Sequence, residues 1–220
     1  MPVQTSSLFE IIAALPAGST LLLHEVNWTE YEALLALLPD NPRLRLSYDQ
    51  GTLEIMTLSP RHERLKSLFA PLLAVLAEER NLNLVGLGST TFRRTEAARG
   101  TEPDDCYYIH QAERMAGRDT IDLTVDPPPD LIVEVDISHP SLDKLPIYAS
   151  LGSPEVWQHN GDTLQFFRLV GDRYIQTPES NLFPALLAEV LAGFVQQGMA
   201  HGIIPMIRAF RLWAHSHRQP

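Results

Sequence analysis

The chain has 220 residues and a single cysteine, Cys106. An intramolecular disulfide is therefore excluded, and a reducing, cytoplasmic compartment is the expectation. Long apolar runs are missing as well. The most apolar late stretch, residues 182–195, contains Pro184 and Glu189 and is too short to span a bilayer. The first residues carry no basic segment, so no secretory signal is expected. Positive charge is scarce: 17 lysines and arginines against 27 aspartates and glutamates leave a net charge of −10. Nucleic-acid binders usually show a basic footprint. Phosphate binding by this chain would need a local basic patch or bound cations. Internal repeats and low-complexity linkers are absent. So are a phosphate-binding glycine loop and a dinucleotide-binding glycine pattern. The eight histidines show no zinc-ligand spacing, and His62-Glu63 lacks the second histidine of a helical zinc-protease motif. Cys106 lies in an apolar, aromatic run and reads as packing rather than as a nucleophile. Trp28, Trp157 and Trp213 read as core or interface.

What remains is an ordinary globular composition. Hydrophobic residues make up 45% of the chain, enough for a full core, and the length suits one large domain or one domain with decorations. A short helix is expected near Leu8–Leu15, then a turn at Pro16–Gly18. Asn27 and Glu30 form a capping-box pattern that opens a helix to about Leu38. Leu44–Tyr48 and Thr52–Thr57 flank Asp49-Gln50-Gly51 and predict a hairpin. Ser59-Pro60 starts a helix whose apolar face runs through Leu65, Leu68, Leu72 and Leu76, with a kink expected at Pro71. Leu84–Arg93 and Cys106–Ile109 read as strands, and Gln111–Gly117 as a short helix. Asp130–Val135 is nearly all apolar and reads as a central strand buried on both faces. A helix over Ser141–Leu151, strands over Glu155–His159, Leu164–Leu169 and Arg173–Thr177, and helices over about 184–196 and 203–217 complete the α/β pattern.

Two acids carry the chemistry. Glu134 sits among Leu131, Ile132, Val133 and Val135, where an ionised carboxylate is costly unless paired or metal-bound. A salt bridge or a helix cap would answer that cost as well as a metal would. Asp104 follows a proline at the entry of the Cys106–Ile109 strand, a place where aspartate often serves a turn. Together the two could hold a divalent cation through oxygen, as Mg²⁺ prefers. Such a cation can activate water against a phosphodiester. Arg61, Arg64 and Lys66, with Arg93, Arg94 and Arg99, form a phosphate surface if the fold brings them together, and otherwise are solubilising charge. Arg208, Arg211, His215, His217 and Arg218 suit the end of the last helix without any ligand.

Glu102-Pro103-Asp104, the run Pro129 to Ser138, Lys144, Tyr148 and Gly152 to Trp157 resemble the Uma-two-type family of restriction endonucleases, within the PD-(D/E)XK nuclease superfamily. The resemblance extends from about Trp28 to Phe167. It implies a restriction-endonuclease-like mixed central β-sheet flanked by helices. On this reading residues 1–220 form one domain, with an N-terminal helix and hairpin (about 1–58) and a C-terminal helical extension (about 182–220). It also implies that Asp104 and Glu134 bind Mg²⁺ or Mn²⁺. The superfamily lysine should stand at position 136, where this chain has Asp136, so the resemblance assigns the ammonium to Lys144. A solvated helix cation is the alternative for Lys144.

The resemblance further implies that an acid on the first core helix, Glu63, helps to hold the metal. Helical arithmetic places Glu63 opposite the leucine stripe, towards solvent. His62 reads as a hydrogen-bonded packing residue. Asp136 should share a strand face with Glu134 and either joins the metal site or pairs with Lys144. Asp130 suits a strand entry, and Glu102 a supporting partner. The implied activity is Mg²⁺-dependent cleavage of DNA by a homodimer, with Arg61, Arg93 and Arg94 on the nucleic acid. Two rivals stand beside it: a catalytically silent nuclease-fold binding or regulatory protein, and a homo-oligomeric interaction protein with structural acids.

Overall fold

Strands alternating with helices distribute this chain over two sheets. The computed structural model describes residues 5–38, 43–137 and 142–218. The first sheet is built from β1 (Thr20–Leu23), β2 (Leu44–Asp49), β3 (Thr52–Thr57), β5 (Phe92–Arg94) and β6 (Arg99–Thr101), in the order β1-β3-β2-β6-β5. All of its pairings are antiparallel. The β2–β3 hairpin turns on Gln50 and Gly51, both at positive φ (46° and 102°). That backbone matches the twist of the flanking strands and favours glycine at the second position. Helices α1 (Thr5–Ala14) and α2 (Trp28–Leu37) pack here, and α2 begins with the capping box of Asn27 and Glu30.

The second sheet has six strands. These are β4 (Val85–Gly86), β7 (Asp105–Tyr108), β8 (Leu131–Val135), β9 (Glu155–His159), β10 (Leu164–Val170) and β11 (Arg173–Thr177), in the order β11-β10-β9-β8-β7-β4. It is mixed: β8 and β9 are parallel and every other pair is antiparallel. A parallel pair needs a crossover, and α6 (Leu145–Leu151) supplies it, stopping at Gly152 in the left-handed region. The mixed central sheet flanked by helices is thus present. Strand β2 of the hairpin pairs with β6 from the middle of the chain.

Alternation along β8 sorts its side chains. Leu131, Val133 and Val135 face α4 (Phe69–Glu79), α7 (Ala188–His201) and α8 (Ile203–Ser216), in a core that includes Leu72, Trp157, Leu191 and Phe210. Ile132 faces the other way, into a core with Tyr148 and Leu151 of α6 and Phe92 of β5. Period-two geometry puts Glu134 on this second face.

Several local expectations needed correction. Pro71 does not kink one long helix. The helix stops after α3 (Pro60–Lys66) and restarts at Phe69, leaving Pro71 in a first turn where its missing N–H costs nothing. Leu84–Arg93 is two short strands in different sheets, β4 and β5. The helix expected from Pro184 begins at Ala188, because the buried Glu155 carboxylate accepts the backbone N–H groups of Asn181 and Leu182 (2.8 and 3.0 Å) in a preceding turn. Helix α5 spans Ala112–Met115. The expected helix start at Ser141 lies outside the described residues. No helix among the described residues is long and apolar enough to cross a membrane.

Candidate active site

Asp104 lies where the chain passes from one sheet to the other. Strand β6 ends at Thr101 in the first sheet, and β7 begins at Asp105 in the second. Gly100 in β6 is packed directly against the ring of Tyr31, leaving no room for a β-carbon. Register places Asp105 opposite Val133 in antiparallel pairing. One step further along the same register sets Asp104 beside Glu134. The Asp104 carboxylate is buried, and its Oδ2 accepts the Val135 N–H (2.8 Å) and meets His62 Nε2 (3.0 Å). Its Oδ1 is enclosed without a hydrogen bond among the described residues, with Arg45 Nε 3.9 Å away. Arg45 reaches this point from β2 of the first sheet.

Glu134 is equally buried. Lys144, at the N-terminal boundary of α6, donates to Glu134 Oε2 (2.8 Å) and lies 3.8 Å from Asp136 Oδ1. The Tyr148 hydroxyl donates to Glu134 Oε1. Asp136 in turn accepts from Gln158 Nε2 (2.8 Å) on β9. Three carboxylates, Asp104, Glu134 and Asp136, therefore surround one ammonium. Burial disfavours charge on Lys144, yet the three acids raise its pKa above the ordinary lysine value. Burial, with the nearby charges of Asp104 and Asp136, pushes Glu134 up to about 7 against the pull of Lys144. Asp104 goes the other way. Burial opposes its ionisation, but His62, Lys144 and the Val135 N–H hold it below the usual carboxylate range.

The structure brings Asp104, Glu134 and Lys144 together. Asp136 joins them on the Lys144 side. Glu63 stands apart: it is 48% exposed and approaches the acids only through His62, whose Nδ1 lies 3.2 Å from Glu63 Oε1. The solvent-facing phase read from the helix is the one observed. The arginines do not form one surface, since Arg61 and Arg93 open onto different clefts. Arg93 is 3.7 Å from Glu32, and Arg99 is bonded to Asp49 (2.7 Å). Arg94 is half-buried and pairs with Arg99 in the β5–β6 register. Asp130 is structural, accepting the N–H groups of Ile109 and Gln111. Glu102 accepts from Leu46 N and from the Thr91 hydroxyl. Sequence reasoning gave no role to Tyr148, Arg45 or Gln158; His62, expected as a hydrogen-bonded packing residue, is buried and bonded, with Asp104 as the partner that was not foreseen. Only the spacing of Tyr148 four residues after Lys144, on one helix face, was available as a signal.

Among the described residues, no three His, Cys, Asp or Glu side chains form a metal-ligand cluster. Mg²⁺ is commonly held by one or two carboxylates, with water and substrate phosphate completing the shell. Asp104 and Glu134 meet that smaller requirement. The enclosed Oδ1 of Asp104, which accepts no hydrogen bond among the described residues and has the Arg45 guanidinium 3.9 Å away, is the observation that fits a cation here.

The chain matches the Uma2 family, described as "Putative restriction endonuclease", over residues 28–199, and it belongs to that family. Among solved structures it resembles a protein from Anabaena variabilis ATCC 29413 described as "a putative nuclease belonging to DUF820". Identity is 14% and the TM-score 0.47, with 77% of this chain and 99% of that one covered. No curated protein matches the chain.

Two outcomes follow from the buried charges. Glu134→Ala strands the Lys144 ammonium and should destabilise the fold by about 3–5 kcal/mol. Glu134→Gln keeps an acceptor and should cost clearly less. Urea unfolding of the two variants checks this, and equal stabilities would contradict the pairing. The second outcome concerns pH. Burial works against the His62 imidazolium, but the Asp104 and Glu63 carboxylates raise its pKa above the ordinary 6.5. Its contribution is present below that value and is lost as pH rises through the raised one. Asp104, being lowered, contributes above its ordinary 3.8 and loses this only in stronger acid. The pair is therefore strongest between about pH 4 and 6.5. His62→Gln should lose about 1–3 kcal/mol there, and its stability should decline less from pH 6 to 9. A wild-type slope in the variant would exclude the contact.

Proposed function

We propose that this member of the Uma2 family is a metal-dependent endonuclease that hydrolyses phosphodiester bonds of DNA. The observation that carries the reading is the buried pair of Asp104 and Glu134, side by side at the junction of two sheets. One of them has an enclosed oxygen that accepts no hydrogen bond among the described residues. Burying carboxylates this way costs several kcal/mol per charge, and a hydrolytic site is a physical reason to retain them.

Asp104 and Glu134 would hold Mg²⁺ or Mn²⁺. A bound cation supplies a lowered water pKa and neutralises charge on the phosphate. Asp104 Oδ1 is the ready oxygen, with the carboxylate fixed from its other side by the Val135 N–H and His62. Glu134 is oriented by Tyr148 and Lys144. Lys144 stays protonated among the acids, so it serves as a fixed positive charge for the attacked phosphate rather than as a base. Asp136 restrains that ammonium from the far side, where the superfamily pattern would have its lysine. Glu63 would act through His62. Arg61 on one cleft and Arg93, with Arg94 beside it in β5, on another would meet phosphates at separate places. Cutting both strands calls for two sites, and exposed Ile204 and Leu212 on α8 suit a homodimer contact.

A second reading has its own observation. Lys144 already neutralises Glu134 and approaches Asp136, so the charge that would attract a cation is partly satisfied within the protein. A nuclease-fold binding or regulatory protein would look like this.

Nicking of supercoiled plasmid separates the readings. Wild-type protein with Mg²⁺ or Mn²⁺ should nick, and Asp104→Asn, Glu134→Gln and Lys144→Met should each slow nicking by about 100-fold or more. Folded wild type that never nicks, or variants that nick at the wild-type rate, would reject the hydrolytic reading.

A further inference from the structure

A second polar feature lies one strand away from the acids, on the other face of the sheet. His159 ends β9, paired in register with Val135, and its carbonyl accepts the Asp136 N–H (2.8 Å). Its imidazole is 1% exposed. Nδ1 accepts the Gly161 N–H (3.0 Å), so the neutral ring carries its proton on Nε2. Burial and nearby Arg61 hold the ring below its ordinary pKa against the pull of Asp162, which keeps it neutral. The Nε2–H has no acceptor among the described residues. An orphaned buried donor is uncommon, and each one calls for an explanation.

His159 lines a cleft of 300 Å³ with Leu65, Val195, Met199 and, from the start of α3, Arg61. Arg61 is exposed and has no carboxylate partner among the described residues. The walls are largely apolar, with the His159 donor and the Gln196 amide as neutral polar groups, and such a lining suits a flat, weakly polar group better than a buried phosphate, which it would desolvate. The guanidinium suits an anion attached to that group.

We infer that the cleft between Arg61 and His159 is a nucleotide-binding pocket. It takes an unpaired nucleotide of the substrate strand, with phosphate on Arg61 and a base acceptor on the His159 Nε2–H. The inference rests on the nuclease reading for its choice of ligand. Its place agrees with that reading. Arg61 is adjacent in sequence to His62, which touches Asp104, and β9 lies directly beside β8. The Nε2 nitrogen is covered, so entry requires a lining side chain to move. Met199, unbranched with three rotatable bonds, is suited to that.

The test is fluorescence anisotropy of a labelled single-stranded oligothymidylate, with EDTA present so that no cleavage occurs, at several salt concentrations. Arg61→Ala should weaken binding by about tenfold and reduce the salt slope by about one. His159→Asn retains an acceptor for the Gly161 N–H and removes the Nε2 donor. It should weaken binding by about three- to tenfold and leave the salt slope unchanged. Wild-type binding by both variants, or no binding by wild type, would overturn the pocket. Binding that depends on Arg61 and His159 in a protein that never nicks plasmid would uphold the pocket while the hydrolytic reading fails. Nicking with neither residue needed for binding would do the reverse.

Discussion

The Asp104 carboxylate is the contact on which the arrangement depends. One oxygen receives the Val135 N–H and His62 Nε2 together. That oxygen ties the connector between the sheets to the central strand and to the helix that follows the hairpin. Backbone N–H groups at a strand end need an acceptor, so Asp104 has structural work whether or not a ligand is present. The same fixing aims its second oxygen at a spot bordered by Arg45 of the first sheet. Structure and chemistry are thus divided between the two oxygens of one side chain.

Charge balance then sets the character of the site. Asp104, Glu134 and Asp136 are each at most 6% exposed, and Lys144 is 7% exposed. His62 and Arg45 attend Asp104, while Lys144 faces both Glu134 and Asp136; burial and the neighbouring acids hold Glu134 high, and the acids keep Lys144 charged. Binding of an added divalent cation at these acids would favour ionised Glu134. Tyr148, Gln158 and the Val135 N–H fix the orientation of Glu134, Asp136 and Asp104 in turn.

Much of this was legible in the sequence because it was local. The capping box at Asn27, the Asp49–Thr52 turn and the apolar run through Glu134 announce themselves within a few residues, and the structure contains all three. The meeting of Asp104, Glu134 and Lys144 followed from a family resemblance rather than from spacing. Long-range features were not legible. Nothing near Leu84–Arg93 says that its two ends join different sheets. Nothing beside Arg45 says that it will reach Asp104 across 59 positions of chain, about the distance over which only tertiary pairing decides. His62 is the buried, hydrogen-bonded residue expected of it, but a lone histidine on a helix carries no sign that its partner is Asp104. Glu63 was placed correctly towards solvent, because helical phase is a local property.

The central claim is that Asp104 and Glu134 together hold one divalent cation. Isothermal titration of the folded protein with Mn²⁺ tests it most directly, with Asp104→Asn and Glu134→Gln as companions. The account predicts one site per chain in the wild type, weakened by about tenfold or more in each variant. A folded wild type that takes up no Mn²⁺, or variants that bind it as the wild type does, would contradict the account.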